Sequence, residues 1–132
     1  MISLEEYLMG RDKMDPLTVE KASNAADLLS RVNYLFGRLN IKTTVTSGYR
    51  PEHINIAVGG ASKSGHVTCE AIDVLDPFGK TGLLLKIRTD LLIECGLWLE
   101  NPEYTKKLLS SGKFTHWVHL QTRLTKNRIF NP

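Results

Sequence analysis

The sequence predicts one compact soluble domain in which amphipathic helices are interspersed with short strands, and three observations carry that prediction. Length comes first: 132 residues with 42% hydrophobic side chains, ten glycines and five prolines fit one domain better than two domains or a disordered chain. Periodicity comes second, because apolar residues recur at three- and four-residue steps in two segments, and short β-branched runs mark three others. Third, no repeat, long linker or low-complexity block divides the chain. Residues 1–132 therefore read as one unit, with residues 1–14 a peripheral N-terminal segment.

Asp15-Pro16 reads as a helix start, with a capping carboxylate followed by a proline tolerated at the first helical position. Ala22, Ala25, Ala26, Leu29, Val32, Asn33 and Phe36 then mark one amphipathic helix ending near Gly37. Ile41, Thr43 and Val45 alternate with Lys42 and Thr44, which predicts a strand before the turn SGYRPE. Periodicity is lost through HINIAVGGASKSG, where Gly59, Gly60 and Gly65 favour a tightly folded loop over a short helix. CEAIDVL has the character of a buried strand, stopped by DPFGK. Gly82 to Cys95 places Leu84, Leu85, Ile87, Leu91 and Leu92 along a helix, and FTHWVHLQ reads as a late aromatic strand.

Composition narrows the function classes. Cys69 and Cys95 are too few for a disulfide framework and lack the spacing of a metal knuckle. No apolar stretch is long enough to span a membrane, so no membrane insertion is expected. The start MISLEEYLMGRDK lacks the basic and apolar regions of a secretory signal. Synthesis in the cytoplasm is the matching expectation. The net charge of +3 is scattered, although Lys106, Lys107, Lys113, Arg123, Lys126 and Arg128 make the last quarter basic. Such a surface suits solvation first, and attraction to nucleic acid or to an anionic polymer such as a cell wall second. No recognised nucleic-acid motif accompanies it, so no specific nucleic-acid partner is expected.

All four histidines, His53, His66, His116 and His119, lie between residues 53 and 119. Histidine and aspartate side chains distant in sequence can converge on zinc, which in catalytic sites takes three protein ligands and leaves a position for water. His66 and Asp73 are seven residues apart, across the glycine-rich loop and the strand after it. In the late strand the two-residue period puts His119 on the face of Trp117 and Gln121, with His116, Val118 and Leu120 on the other. If that strand lies beside CEAIDV, His119 and Asp73 share a pocket, and His116 joins them only if the strand starts at or after Thr115. Read alone, these residues fit ordinary loop hydrogen bonds at least as well as a metal. Trp98, Tyr104 and Trp117 could border a groove, although packing is the commoner role of aromatics beside strands, and His53 reads as a surface residue.

TSGYRP at 46–51, VGGASKSGHVTCEAIDV at 58–74 and HWVHLQ at 116–121 together resemble the successive motifs of the D-alanyl-D-alanine metallopeptidase family, including its small phage-type peptidoglycan endopeptidases. The resemblance implies a small α+β domain with a central antiparallel sheet flanked by helices, and one Zn2+ held by His66, Asp73 and His119. It matches Arg50 to an arginine that holds substrate and stabilises an oxyanion, and Ser64 to a serine lining the substrate pocket. The implied activity is zinc-dependent hydrolysis of peptide bonds in peptidoglycan stems or crosslinks, by endopeptidase or carboxypeptidase action, with water as nucleophile.

Two positions depart from the family pattern. Cys69 stands where a glycine usual to the family follows the first histidine ligand by three residues. As a small buried hydrophobe it needs no metal, although a thiolate there could reach one. His116 stands where a glutamate often serves as the acid or base, three residues before the late histidine. Three accounts follow. His116 is itself the base; Glu100, or less readily Glu94 or Glu103, approaches from an earlier segment; or the chain is a catalytically inactive zinc-containing wall-binding or virion structural domain. A nucleic-acid-binding domain is the remaining alternative, suggested by the basic end alone.

Overall fold

The computed structural model describes residues Met1–Pro132. Its elements run α1 (Leu4–Leu8), α2 (Val19–Leu39), β1 (Val45–Ser47), α3 (Glu52–Ala57), β2 (Ala71–Leu75), α4 (Lys80–Ile87), α5 (Thr89–Cys95), β3 (Trp98–Glu100), β4 (Lys106–Leu108), β5 (Phe114–Gln121) and β6 (Ile129–Phe130), with 3-10 turns at Arg11–Lys13 and Pro102–Tyr104. The domain is α+β, as the motifs imply. Its sheet has the order β1-β2-β5-β3-β6, with β4 attached to β5 alone. The pairs β1/β2, β2/β5, β3/β5 and β4/β5 are antiparallel, and the edge pair β3/β6 is parallel, so the central sheet is mixed.

The two-residue period of the strands separates core from site. Ile72 and Val74 of β2, Val118 and Leu120 of β5 and Leu99 of β3 are buried in the core with Leu28, Val32 and Leu35 of α2 and Leu92 of α5. The intervening positions, Asp73, His119 and Glu100, belong to the other face of the same three strands. A one-residue slip of any strand would exchange the two sets, so burial of the apolar face holds the polar face in register.

Several boundaries differ from those predicted. Residues 1–14 are not peripheral: Ile2, Tyr7 and Leu8 are core residues, the Tyr7 hydroxyl donates to the Ala71 carbonyl at 2.9 Å, and Tyr49 N–H donates to the Tyr7 carbonyl at 3.0 Å. Helix α2 starts after Thr18, whose hydroxyl accepts from Lys21 N–H at 3.1 Å, leaving Asp15-Pro16 in the preceding loop. It ends at Asn40, which takes the left-handed conformation expected near Gly37. The strand predicted around 41–45 forms later, at Val45–Ser47, because an irregular pairing with β2 sets Ser47 opposite Asp73.

The loop at 53–65 does contain a short helix, α3. The helix expected from Gly82 to Cys95 is two helices, broken at Arg88. The stop at DPFGK is also a start: the buried Asp76 carboxylate accepts from the amides of Thr81 and Gly82 at the head of α4. No helix is long and apolar enough to cross a membrane.

Candidate metal centre

Asp73 and His119 are direct partners across the β2/β5 ladder, and His66 reaches them from the loop before β2. The three side chains offer ligand atoms that all lie within 4.8 Å of one another. Two imidazoles and one carboxylate are a donor set suited to a divalent metal with a position left open.

His66 is held on three sides. Its amide donates to the Ser64 hydroxyl at 3.2 Å, its carbonyl accepts from Arg50 N–H at 3.1 Å, and its ring Nδ1 lies 2.9 Å from the Gly48 carbonyl. Nδ1–H donates to that carbonyl, which leaves Nε2 with its lone pair free. Nε2 is buried, has no hydrogen-bond partner, and faces Asp73 Oδ2 at 3.4 Å. A buried imidazole nitrogen without a partner is costly by about 1–3 kcal/mol, and a metal ligand is the role that would satisfy it. Gly48 is required where it stands, because a Cβ there would lie 1.9 Å from the Tyr7 carbonyl oxygen. The N-terminal segment thus presses the SGYR turn against His66.

His119 is oriented through its other nitrogen. Nδ1 lies 2.7 Å from Asp73 Oδ1, and Nε2 lies 3.1 Å from Gln121 Oε1. The Gln121 amide donates through Nε2 to the Arg123 carbonyl at 3.1 Å, so its oxygen is the atom turned to His119. Nε2–H therefore donates to Gln121, and Nδ1 is the nitrogen directed into the cluster. Outer partners of this kind are worth 10- to 100-fold in metal affinity. Gln121→Ala should accordingly weaken metal binding by about 10- to 100-fold, measured by competition with a chromophoric chelator, with the fold retained.

Asp73 is the hub. Burial works to raise its pKa, but the hydrogen bond from His119 and the closeness of the two imidazoles prevail and hold it below the usual carboxylate range. Burial works to lower His119, and the Asp73 carboxylate, with Gln121 and Glu100, prevails and raises it. In metal-free protein the two shifts bound a pH window. The depressed Asp73 stabilises the fold above its unfolded value of about 3.9, and this is lost as pH falls through the folded value. The elevated His119 contributes fully below about 6.5, and this is lost as pH rises through the folded value. The pair therefore contributes most between about pH 4 and 6.5. Denaturant titrations with chelator present should show wild type losing stability, relative to His119→Ala, as the pH rises above about 6.5.

Glu100 enters the same row. Trp98 pairs with Gln121 and Leu99 with Leu120, so the next step of the β3/β5 ladder sets Glu100 beside His119. Across β2, β5 and β3 the face thus reads Asp73, His119, Glu100. Burial pushes the Glu100 carboxyl up, His119 draws it down and Asp73 pushes it up, with a net rise. On the far side, Arg50 closes on Asp73, with Nη2 3.5 Å from Oδ2. Its Nε donates to the Ser47 hydroxyl at 3.0 Å and its Nη1 to Asn55 Oδ1 at 3.2 Å.

His116 is not brought to the cluster. Strand β5 begins at Phe114, so His116 is already in regular alternation and projects from the face opposite His119. Its ring lies over Gly79, where a Cβ would come within 3.0 Å of Nδ1. Glu94 pairs with Arg38 on the outer surface, and Glu103 is exposed beside Lys106 at 3.5 Å. His53 is an exposed partner of Asp15. Trp98 and Trp117 are half-buried, with the Arg128 guanidinium 4.0 Å from the Trp98 ring centroid, and Tyr104 is exposed.

Cys69 does not join the cluster. It is fully buried, its thiol is pushed up to about 11 by burial, and it adjoins the Tyr7 hydroxyl. Its φ of 62° is left-handed, which accounts for a glycine at the corresponding position of the family pattern. Sequence reasoning overlooked the supporting roles of Gln121, Gly48, Ser47 and Asn55. Gln121 alone carried a signal, the two-residue step that puts it on the face of His119.

The family model for Peptidase M15 matches residues 4–90. That span contains Arg50, Ser64, His66 and Asp73 and stops before Glu100 and His119, which sheet pairing returns to it. No curated protein and no solved structure matches the chain.

Proposed function

Because the chain belongs to the Peptidase M15 family, we propose that it hydrolyses peptide bonds in the stems or crosslinks of bacterial peptidoglycan, with zinc at His66, Asp73 and His119. The observation that carries this reading is the clustering of the two histidines and the aspartate, with one buried imidazole nitrogen left unpaired. A zinc ion bound there supplies Lewis acidity to a peptide carbonyl and lowers the pKa of water.

The chain's own residues account for the remaining tasks. Glu100, half-buried and raised by that burial, is our candidate to take a proton from the attacking water and return it to the leaving amine. Arg50, fixed by Ser47 and Asn55, presents a guanidinium beside Asp73 that can hold a substrate carboxylate or the developing oxyanion. Ser64 orients the His66 backbone and lines a polar recess with Glu52, Ser62, Lys63, Thr68 and Arg123.

The test is digestion of purified peptidoglycan by zinc-loaded protein, with products identified by mass spectrometry. Release of peptides cut beside a D-amino acid is the expected result. Tight zinc binding with no cleavage across several peptidoglycan types would replace the hydrolase by a wall-binding or structural domain.

A further inference from the structure

We propose that the β4–β5 hairpin and the turn before α4 form a second contact surface, which grips the anionic glycan-peptide mesh away from the bond being cut. This rests on the wall-hydrolase reading above. Strand β4 lies off the main path of the sheet, since it pairs with the start of β5 alone. On the face opposite His119, Leu108 pairs with Phe114 and Lys106 with His116. The Phe114 ring is 48% exposed and lies 6.2 Å from the His116 ring, centroid to centroid. His116 in turn covers Gly79, the neighbour of Phe78, which is 80% exposed.

Lysines overlie both exposed rings. Lys106 Nζ is 5.2 Å from the Phe114 centroid, and Lys80 Nζ is 5.9 Å from that of Phe78. Single exposed apolar side chains are ordinary on a protein surface, but rings linked through His116 and capped by lysines form a connected patch. The one ion pair within it, Lys106 with Glu103, is exposed and contributes little.

Charge and shape select the occupant. Cations beside exposed aromatic faces complement a polymer that alternates apolar sugar faces with the carboxylates of its stem peptides. Because the patch and the metal centre use opposite faces of β5, it would hold a portion of the mesh other than the stem in the site. Its effect is then one of local concentration: retention on an insoluble substrate without any change in chemistry.

Full-length zinc-loaded protein is compared with Phe114→Ser and with the double variant Lys80→Gln/Lys106→Gln, in two assays. One is co-sedimentation with purified peptidoglycan stripped of teichoic acid, at about 50 and 300 mM salt. The other is hydrolysis of a short soluble stem peptide. Retention on the wall should fall about 5- to 10-fold in both variants, with the Lys-dependent part lost at high salt, while kcat/KM on the peptide stays within about twofold. Equal sedimentation of variants and wild type overturns the proposal. So does an equal loss of binding to duplex DNA, which would make the patch a general polyanion surface. Retention through these residues without stem-peptide hydrolysis would keep this surface and remove the proposed activity, and the converse pattern would do the reverse.

Discussion

Glu100→Gln should lower kcat for peptide hydrolysis by roughly 10²- to 10⁴-fold while leaving metal content and fold unchanged. The substitution preserves size and hydrogen-bonding shape and removes only the ability to accept and return a proton. The β3/β5 pairing sets Glu100 beside His119, and burial raises its carboxyl, the direction that makes a carboxylate a better proton acceptor. His116→Ala is the matched control. His116 sits on the opposite face of β5 over Gly79, so its removal should leave kcat within about twofold. The reverse outcome, an inactive His116 variant and an active Glu100 variant, would require a different course for β5.

Asp73→Ala should have the largest effect on the metal centre. One carboxylate touches His119 at 2.7 Å, His66 at 3.4 Å and Arg50 at 3.5 Å. Its loss removes a ligand and leaves the shielded Arg50 guanidinium without its counter-charge. Metal affinity should drop by more than the roughly 100-fold associated with an outer partner, and hydrolysis should become undetectable. The metal-free protein should also lose about 3–5 kcal/mol, the usual penalty for breaking a buried pair from one side. Chelator competition measures the first effect, and denaturant unfolding with chelator present measures the second. Gln121→Ala provides the scale between them, because it disturbs His119 without removing a ligand.

Legibility followed the strength of local periodicity. FTHWVHLQ forms a strand over all eight of its residues, and its alternation already separated His119 and Gln121 from His116, Val118 and Leu120. The face bearing Asp73 followed once AIDVL was read as the neighbouring strand. Glu100 was harder to place. Strand β3 has three residues and β6 two, too short for any period, and both exist because β5 and each other supply the hydrogen bonds. The core role of residues 1–14 was hidden for a similar reason. Tyr7 is buried through Gly48, Tyr49 and Ala71, all more than 40 residues away. The break at Arg88 escaped notice because leucines on both sides of it keep helical spacing.

The most direct measurement of the central claim is a zinc titration of chelator-stripped protein, with bound metal and hydrolysis of a D-amino-acid-containing wall peptide followed together. Activity should rise in step with occupancy and reach its plateau at one zinc per chain, and His119→Ala should show neither. Full hydrolysis by the metal-free chain, or by His119→Ala, would contradict the account.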